Sequence, residues 1–359
     1  VLLIILYQDI YIYIYKMTVI NNIEIDNVYY KKNLTKEAIS NNSPIEKYLH
    51  VIMVISNPCQ YAIRYILARD FIQRMECEKY VKLYIVELAY GDDKFYVTQK
   101  GNPRHLQIKT DICPLWHKEN MINIGVEHLL PDNWKAFAWI DADIEFENNT
   151  WALDTLKILN GYKDIVQIFS HAIDMDKKGL TMSTFNSAGY QYEKENKYSG
   201  IGPNYWHPGF AWACTRKAYK KIKGLYEDAI LGSGDNIMCL SLINNGLKAV
   251  NSLSTEGYKE TISDFQNRVK DLRFGYVPGV IRHYYHGSKK NRKYTERWQI
   301  LINHNYDPKT FIKKDKKQFG LIVPRKKFPE LLKEDIMNYF RERNEDEDFS
   351  SKDFNYVNK

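Results

Sequence analysis

WKAFAWIDADIEFE, residues 134–147, is a short apolar run that ends in two aspartates. Phe137, Ala138, Trp139 and Ile140 follow a Pro131-Asp132-Asn133 breaker, the pattern of a buried strand covered on both faces. Asp141 and Asp143, with Ala142 between them, emerge where that strand ends. Ligands of open α/β sheets bind at the carboxyl ends of the strands, and two aspartates one residue apart can hold a divalent metal against phosphate oxygens. A strand running into an acidic, solvated turn fits the same residues, since D-x-D is short and common.

Outward from this stretch the chain alternates strands and helices. Residues 49–55, LHVIMVI, form a continuous apolar run that ends at Ser56-Asn57-Pro58. A helix follows, with Ile63, Leu67 and Phe71 on one face, and then a second strand, YVKLYIVEL, over 80–88. These supply one βαβ unit. Residues 115–130 carry Leu115, Ile122, Val126 and Leu129 at helical spacing and stop at Pro131, so a helix feeds the D-x-D strand. Helices are predicted over 151–159, 216–223 and 235–244, the last closed by Gly246, and strands over 164–169, 210–214 and 276–281. Residues 174–204 lose periodicity and read as a long active-site loop. The expected architecture is α/β: one main domain over 47–310, a mixed and mostly parallel central sheet flanked by helices. It follows an N-terminal extension and linker over 1–46 and precedes a charged, solvated tail over 311–359.

Composition suits a folded domain. The 359 residues are 44% apolar and 14% aromatic, enough for a sizeable core. The formal charge of +7 suits phosphate-rich ligands, but the basic residues lie scattered or in the tail, which argues against nucleic acid. Five widely spaced cysteines with no C-x-x-C argue against a disulfide framework or structural zinc and for a reducing, cytoplasmic setting. The apolar start, interrupted at Gln8 and Asp9, is too short and broken to span a bilayer. Residues 1–16 are read as upstream or non-native sequence, with weak membrane-surface association as the alternative.

Four further clusters belong with the aspartates. Ser56 and Asn57, at the end of the first strand, offer polar groups to a nucleotide, and Glu87 at the end of the second can accept hydrogen bonds from a ribose or base. Lys118 and Asn123, on the helix before the D-x-D strand, are added to the nucleotide-binding set. Trp206-His207-Pro208-Gly209-Phe210 combines a tight turn with flat faces that stack on sugars, so Trp206, His207 and Gly209 are expected at the substrate. In Gly232-Ser233-Gly234-Asp235-Asn236 a Gly-rich loop opens a helix; Gly234 lies at the substrate, and Asp235 is either a helix cap or a general base. Last, Arg282-His283-Tyr284-Tyr285-His286-Gly287 precedes a basic run, and His286 can complete a metal site, with imidazole suiting Mn²⁺ better than Mg²⁺.

In this order, the N-terminal βαβ, WIDAD at 139–143, HPGFAWA at 207–213, the G-x-G-D helix start and the late His-Gly resemble GT-A-type glycosyltransferases, with WIDADIEF resembling a subgroup of bacterial and viral members. The resemblance covers about residues 48–310. It implies a transferase that moves a sugar from a UDP- or GDP-linked donor to a glycan, protein or lipid-linked acceptor. Asp141 and Asp143 would hold Mn²⁺ or Mg²⁺ with the ribose or diphosphate, Asp235 would be the base of an inverting reaction, and His286 the C-terminal ligand. This chain has G-S-G-D-N where better-known members carry a paired E-D, so inversion does not follow from the motif. The alternatives are a non-catalytic sugar- or nucleotide-sugar-binding protein on the same fold, or a metal-dependent phosphotransferase. In the latter a Thr usually stands two residues after the aspartates, whereas Ile144-Glu145 follow here.

Overall fold

The computed structural model describes residues 19–24, 32–202 and 204–348. The apolar stretch at the very start lies outside the described residues. In chain order, the strands of the two main sheets are β1 (Leu49–Ser56), β2 (Val81–Tyr90), β3 (His105–Thr110), β4 (Ala136–Ile140), β5 (Ile144–Phe146) and β6 (Ile165–Gln167). They continue with β7 (His171–Met175), β8 (Thr181–Ser187), β9 (Trp206–His207), β10 (Ala211–Thr215), β11 (Phe274–Tyr276) and β12 (Val280–His283). The principal helices are α1 (Leu34–Asn41), α2 (Ala62–Cys77), α3 (Lys118–His128), α4 (Trp151–Ile158), α5 (Gly234–Leu242), α6 (Glu256–Val269) and α7 (Glu330–Glu342).

The central sheet has seven strands in the order β11-β6-β10-β4-β1-β2-β3. Neighbours are parallel except that β10 runs against both β6 and β4. Both faces are covered, as the continuous apolar strands require. Alternate side chains take opposite sides. Ile52, Phe137, Trp139 and Trp212 pack with Ile122 and Val126 of α3, while Val51, Met53, Ala138 and Ala213 pack with Ala68, Phe71 and Met75 of α2. Trp139 and Trp212 stack across β4 and β10 with centroids 6.1 Å apart and planes 2° apart. Burying such a side chain contributes about 1.5–3 kcal/mol. The expected mixed, mostly parallel sheet is therefore present.

Three times the chain leaves the central sheet and enters the second one within a few residues: β4 into β5, β6 into β7, and β11 into β12. The second sheet has the order β9-β8-β7-β12-β5. Asp141 and Asp143 lie at the first of these crossings. Parallel pairing of β7 with β12 puts Asp174 opposite His283, and antiparallel pairing of β5 with β12 puts Ile144 opposite the same His283. The sheet thus brings residues from three distant parts of the chain to one place.

Several expectations are corrected here. The expected strand over 276–281 divides into β11 and β12, which belong to different sheets. The stretch read as a loop over 174–204 contains the end of β7, β8 and a short helix, Ala188–Glu193. β3 was not anticipated. The segment beyond 310, expected as a solvated tail, folds into an antiparallel pair, Ile312–Asp315 with Leu321–Pro324, followed by α7. Leu332, Ile336, Tyr339 and Phe340 recur at helical spacing and are buried in the main core. Among the described residues, no helix is long and apolar enough to cross a membrane.

Candidate metal and substrate cleft

A cleft of about 680 Å³ opens at the carboxyl ends of β1 and β4 and is bordered by β12, α5 and the end of α7. Its charged floor has two parts. The first is a group of three metal-ligating side chains, Asp143, His283 and His286, whose donor atoms all lie within 4.8 Å of one another. Asp143 Oδ2 is 2.9 Å from His286 Nε2 and 3.6 Å from His283 Nε2. Burial would raise the Asp143 carboxyl, but His283 and His286 together outweigh it and hold it well below the usual carboxylate range.

Each histidine has a carboxylate behind it. His283 Nδ1 lies 2.6 Å from Asp174 Oδ1, which leaves Nε2 facing Asp143. Burial opposes the charge on Asp174, yet His283 and Lys289 bring its carboxyl down to about 2. His286 Nδ1 lies 3.7 Å from Glu345 Oε2, and its Nε2 takes a hydrogen bond of 2.8 Å from Arg292.

A divalent cation fits this donor set. Asp143 Oδ1 is buried without a hydrogen-bond partner among the described residues, a state that costs about 1–3 kcal/mol or more for a charged group unless something else coordinates it. One carboxylate with two imidazoles suits Mn²⁺ better than Mg²⁺, which prefers oxygen donors and its own waters. A carboxylate behind a histidine is the usual means of fixing the ring that ligates a metal.

The second part is an ion triad. Lys118, at the start of α3, places Nζ 2.6 Å from Asp141 Oδ1 and 3.2 Å from Asp235 Oδ2. Burial would lower the Lys118 ammonium, but Asp141 and Asp235 raise it strongly, so it stays charged. Asp141 moves up to about 6: burial is the main cause, Lys118 pulls it back, and Asp143 and Asp235 add to the rise. Asp141 lines the cleft, yet it stands outside the three-donor group, engaged instead with Lys118. Asp235 lies in the first turn of α5 and turns its carboxylate to Lys118. Gly209 lies against it; a Cβ there would be 3.4 Å from Asp235 Oδ2.

Of the other expected site residues, Ser56, Ala142, His207 and Gly209 line the cleft. Ser56 Oγ is 2.9 Å from the Tyr90 hydroxyl. His207 stacks on Phe210 at 4.0 Å, and burial, helped by His283 and Lys289, lowers it to about 3. Others are drawn away. Glu87 is buried, and its carboxylate accepts from the backbone N–H groups of Tyr96, Val97 and Thr98 and from the Thr98 hydroxyl. It fixes a turn and leaves nothing for a ribose. Asn57 closes the turn into α2, with Nδ2 donating to Tyr61 O and Oδ1 accepting from Tyr61 N. Asn123 is buried under the Leu225 backbone, Glu227 and the Tyr219 hydroxyl. Trp206 packs edge-on against Tyr198 in the core. Gly234 makes room for a neighbour: a Cβ there would be 2.4 Å from Glu119 Oε1.

The sequence reading missed His283 and Asp174. His283-x-x-His286 was a usable signal, since two of the nine histidines stand three positions apart on the rim of one strand. For Asp174 there was none, because only the pairing of β7 with β12 brings it there.

No protein-family model matches this chain, and no curated protein matches it. Solved structures do. A mutant of Drosophila β1,4-galactosyltransferase 7 in complex with manganese, UDP-Gal and xylobiose is similar over 77% of this chain and 93% of its own, at 9% identity and a TM-score of 0.39. A mannosyltransferase from Pyrobaculum calidifontis in complex with GDP-Man and Mn²⁺ is similar over 76% of this chain and 67% of its own, at 12% identity and a TM-score of 0.38. A putative nucleotide-diphospho-sugar transferase from Desulfovibrio desulfuricans G20 is similar over 71% and 94%, at 11% identity and a TM-score of 0.30. At such scores these likenesses assign no role to any residue here.

Proposed function

We propose that the cleft is the active site of a divalent-cation-dependent glycosyltransferase that moves a sugar from a UDP- or GDP-linked donor to an acceptor hydroxyl on a glycan, protein or lipid-linked substrate. The observation that carries this reading is that one cleft holds both a cation-ready group, Asp143, His283 and His286, and a separate carboxylate, Asp235, steadied by Lys118. A bound Mn²⁺ would act as a Lewis acid, stabilising the negative charge that gathers on the diphosphate as the sugar bond breaks. Lys289 and Arg292 line the same cleft and add positive charge beside the diphosphate. Asp235 accepts the proton of the acceptor hydroxyl as an inverting base, an effect worth roughly 10²–10⁴-fold. Lys118 sets the orientation of that carboxylate, and Asp141, held on the other side of the same ammonium, faces the ribose or diphosphate. Five free thiols agree with a reducing, cytoplasmic setting for this reaction.

The test is a melting-temperature screen of nucleotide sugars with and without Mn²⁺, followed by product analysis with each hit, since preferential binding to the folded state raises the melting temperature. A Mn²⁺-dependent rise with one donor, together with release of its nucleoside diphosphate, is expected. A folded chain that responds to no donor in Mn²⁺ would remove the transferase reading.

A further inference from the structure

The acidic segment after α7 touches both the start of α2 and the loop that carries His286. Glu345 is buried, and its carboxylate takes bonds of 2.6 and 2.7 Å from Arg64 of α2 and 2.7 Å from Arg343. Asp346 accepts from the free N–H groups of Ala62 and Ile63 at the start of α2, at 2.8 and 3.0 Å. Negative charge at such a helix start is favourable. Asn344 N–H donates to the Tyr61 hydroxyl at 3.0 Å. These contacts anchor the segment to α2.

The next two residues reach the loop that carries His286. Glu347 accepts from the Ser288 N–H and the Asn291 side chain, each at 2.9 Å. Asp348 accepts from the Tyr285 hydroxyl and, at 3.0 Å, from Lys177 in the turn between β7 and β8. Gly287, at φ +85°, lies where the segment passes: a Cβ there would be 2.9 Å from Glu345 Cα. That close approach explains why a glycine follows His286.

We infer that residues 344–348 are a strap that positions His286: Glu345, locked by Arg64 and Arg343, lies 3.7 Å behind its ring, farther than the 2.6 Å at which Asp174 holds His283, and Glu347 and Asp348 clamp the loop on either side. Beyond Tyr284, whose N–H donates to Asp143 O, the loop pairs with no strand among the described residues, and the strap supplies the contacts that hold Tyr285, Ser288 and Asn291 around His286. The cation half of this inference rests on the proposed function; the clamping half does not.

Two variants of the full chain test it, Glu345→Gln and the surface pair Glu347→Gln with Asp348→Asn. Hydrogen exchange of residues 284–291 is measured without metal, and Mn²⁺ affinity by calorimetry. Each variant is expected to speed loop exchange about tenfold and to weaken Mn²⁺ binding by roughly 10–100-fold. Unchanged loop exchange overturns the strap. Faster exchange with wild-type Mn²⁺ affinity overturns its role in positioning His286. If Glu345→Gln fails to fold because Arg64 and Arg343 lose their partner, the surface pair decides. A wild-type chain that takes up no Mn²⁺ overturns the cation reading, and the exchange rates still decide whether the strap holds the loop.

Discussion

His283 and Asp174 lie 109 positions apart, yet the parallel pairing of β7 with β12 sets them opposite one another with His283 Nδ1 2.6 Å from Asp174 Oδ1. The ring is thereby fixed with its other nitrogen toward Asp143. Burial would lower His283, but the carboxylates of Asp143 and Asp174 raise it. A cation arriving beside Asp143 would meet a His283 ring already aimed, whereas His286 Nε2 would have to give up its bond from Arg292.

Asp174→Asn keeps the volume and removes the charge behind His283. Mn²⁺ affinity is expected to fall roughly 10–100-fold, measured by calorimetry on the folded variant. Wild-type affinity would show that His283 is oriented by its own strand and needs no carboxylate.

Asp235→Asn is expected to lower kcat by roughly 10²–10⁴-fold, with donor and Mn²⁺ affinities within about twofold of wild type. Steady-state kinetics beside calorimetry separate the two. Equal loss of turnover and donor binding would make Asp235 a structural element of α5 and leave the base unassigned.

Glu119 gives a pH prediction. Its carboxyl is raised to about 8, first by burial and then by Asp235, against the pull of Lys118. The native state therefore holds this proton more tightly than the unfolded chain, whose carboxyl stays near 4.5, and the group's contribution to stability declines as pH rises between those values. Glu119→Gln should match wild type below that window and exceed it above pH 8, by on the order of 2–4 kcal/mol. Urea unfolding at the two ends measures the difference; a constant offset at both would mean that Glu119 ionises normally.

Gly234→Ala should destabilise by about 1–3 kcal/mol, since the new methyl would meet the Glu119 carboxylate at 2.4 Å. The same change in a Glu119→Ala background should cost little, giving a coupling of roughly 0.5–3 kcal/mol in a double-mutant cycle. Additive losses would place the strain in the backbone instead.

Legibility followed the range of the interactions. β1, α2, β2, α3 and β4 were readable because their burial pattern is written in consecutive residues, Leu49 to Ile55 and Phe137 to Ile140 above all. β3 was not, because HLQIKT is an edge strand with only Ile108 and Thr110 buried, so its period carries little signal. β7 and β8 were lost for a similar reason: β8 is TMSTFNS, mostly polar, with only Ser187 buried. Asp143 and Asp235 were legible as candidates from their motifs, and both line the cleft. That Glu87 and Asn57 bond their own turns was not legible, because a carboxylate or amide at a strand end looks alike whether it serves a ligand or its own turn. Lys118 was expected at the nucleotide, and its pairing with both Asp141 and Asp235 depends on packing between α3, β4 and α5 that no local pattern encodes.

The donors of the candidate cation site come from positions 143, 283 and 286, with nearby carboxylates at 174 and 345. During synthesis the ribosome leaves Asp143 far behind before either histidine appears, so a nascent chain that already holds β1 to β4 carries a single donor and no site. On the proposed reading, metal capture therefore comes late in folding and would report that the distant strands have found their places.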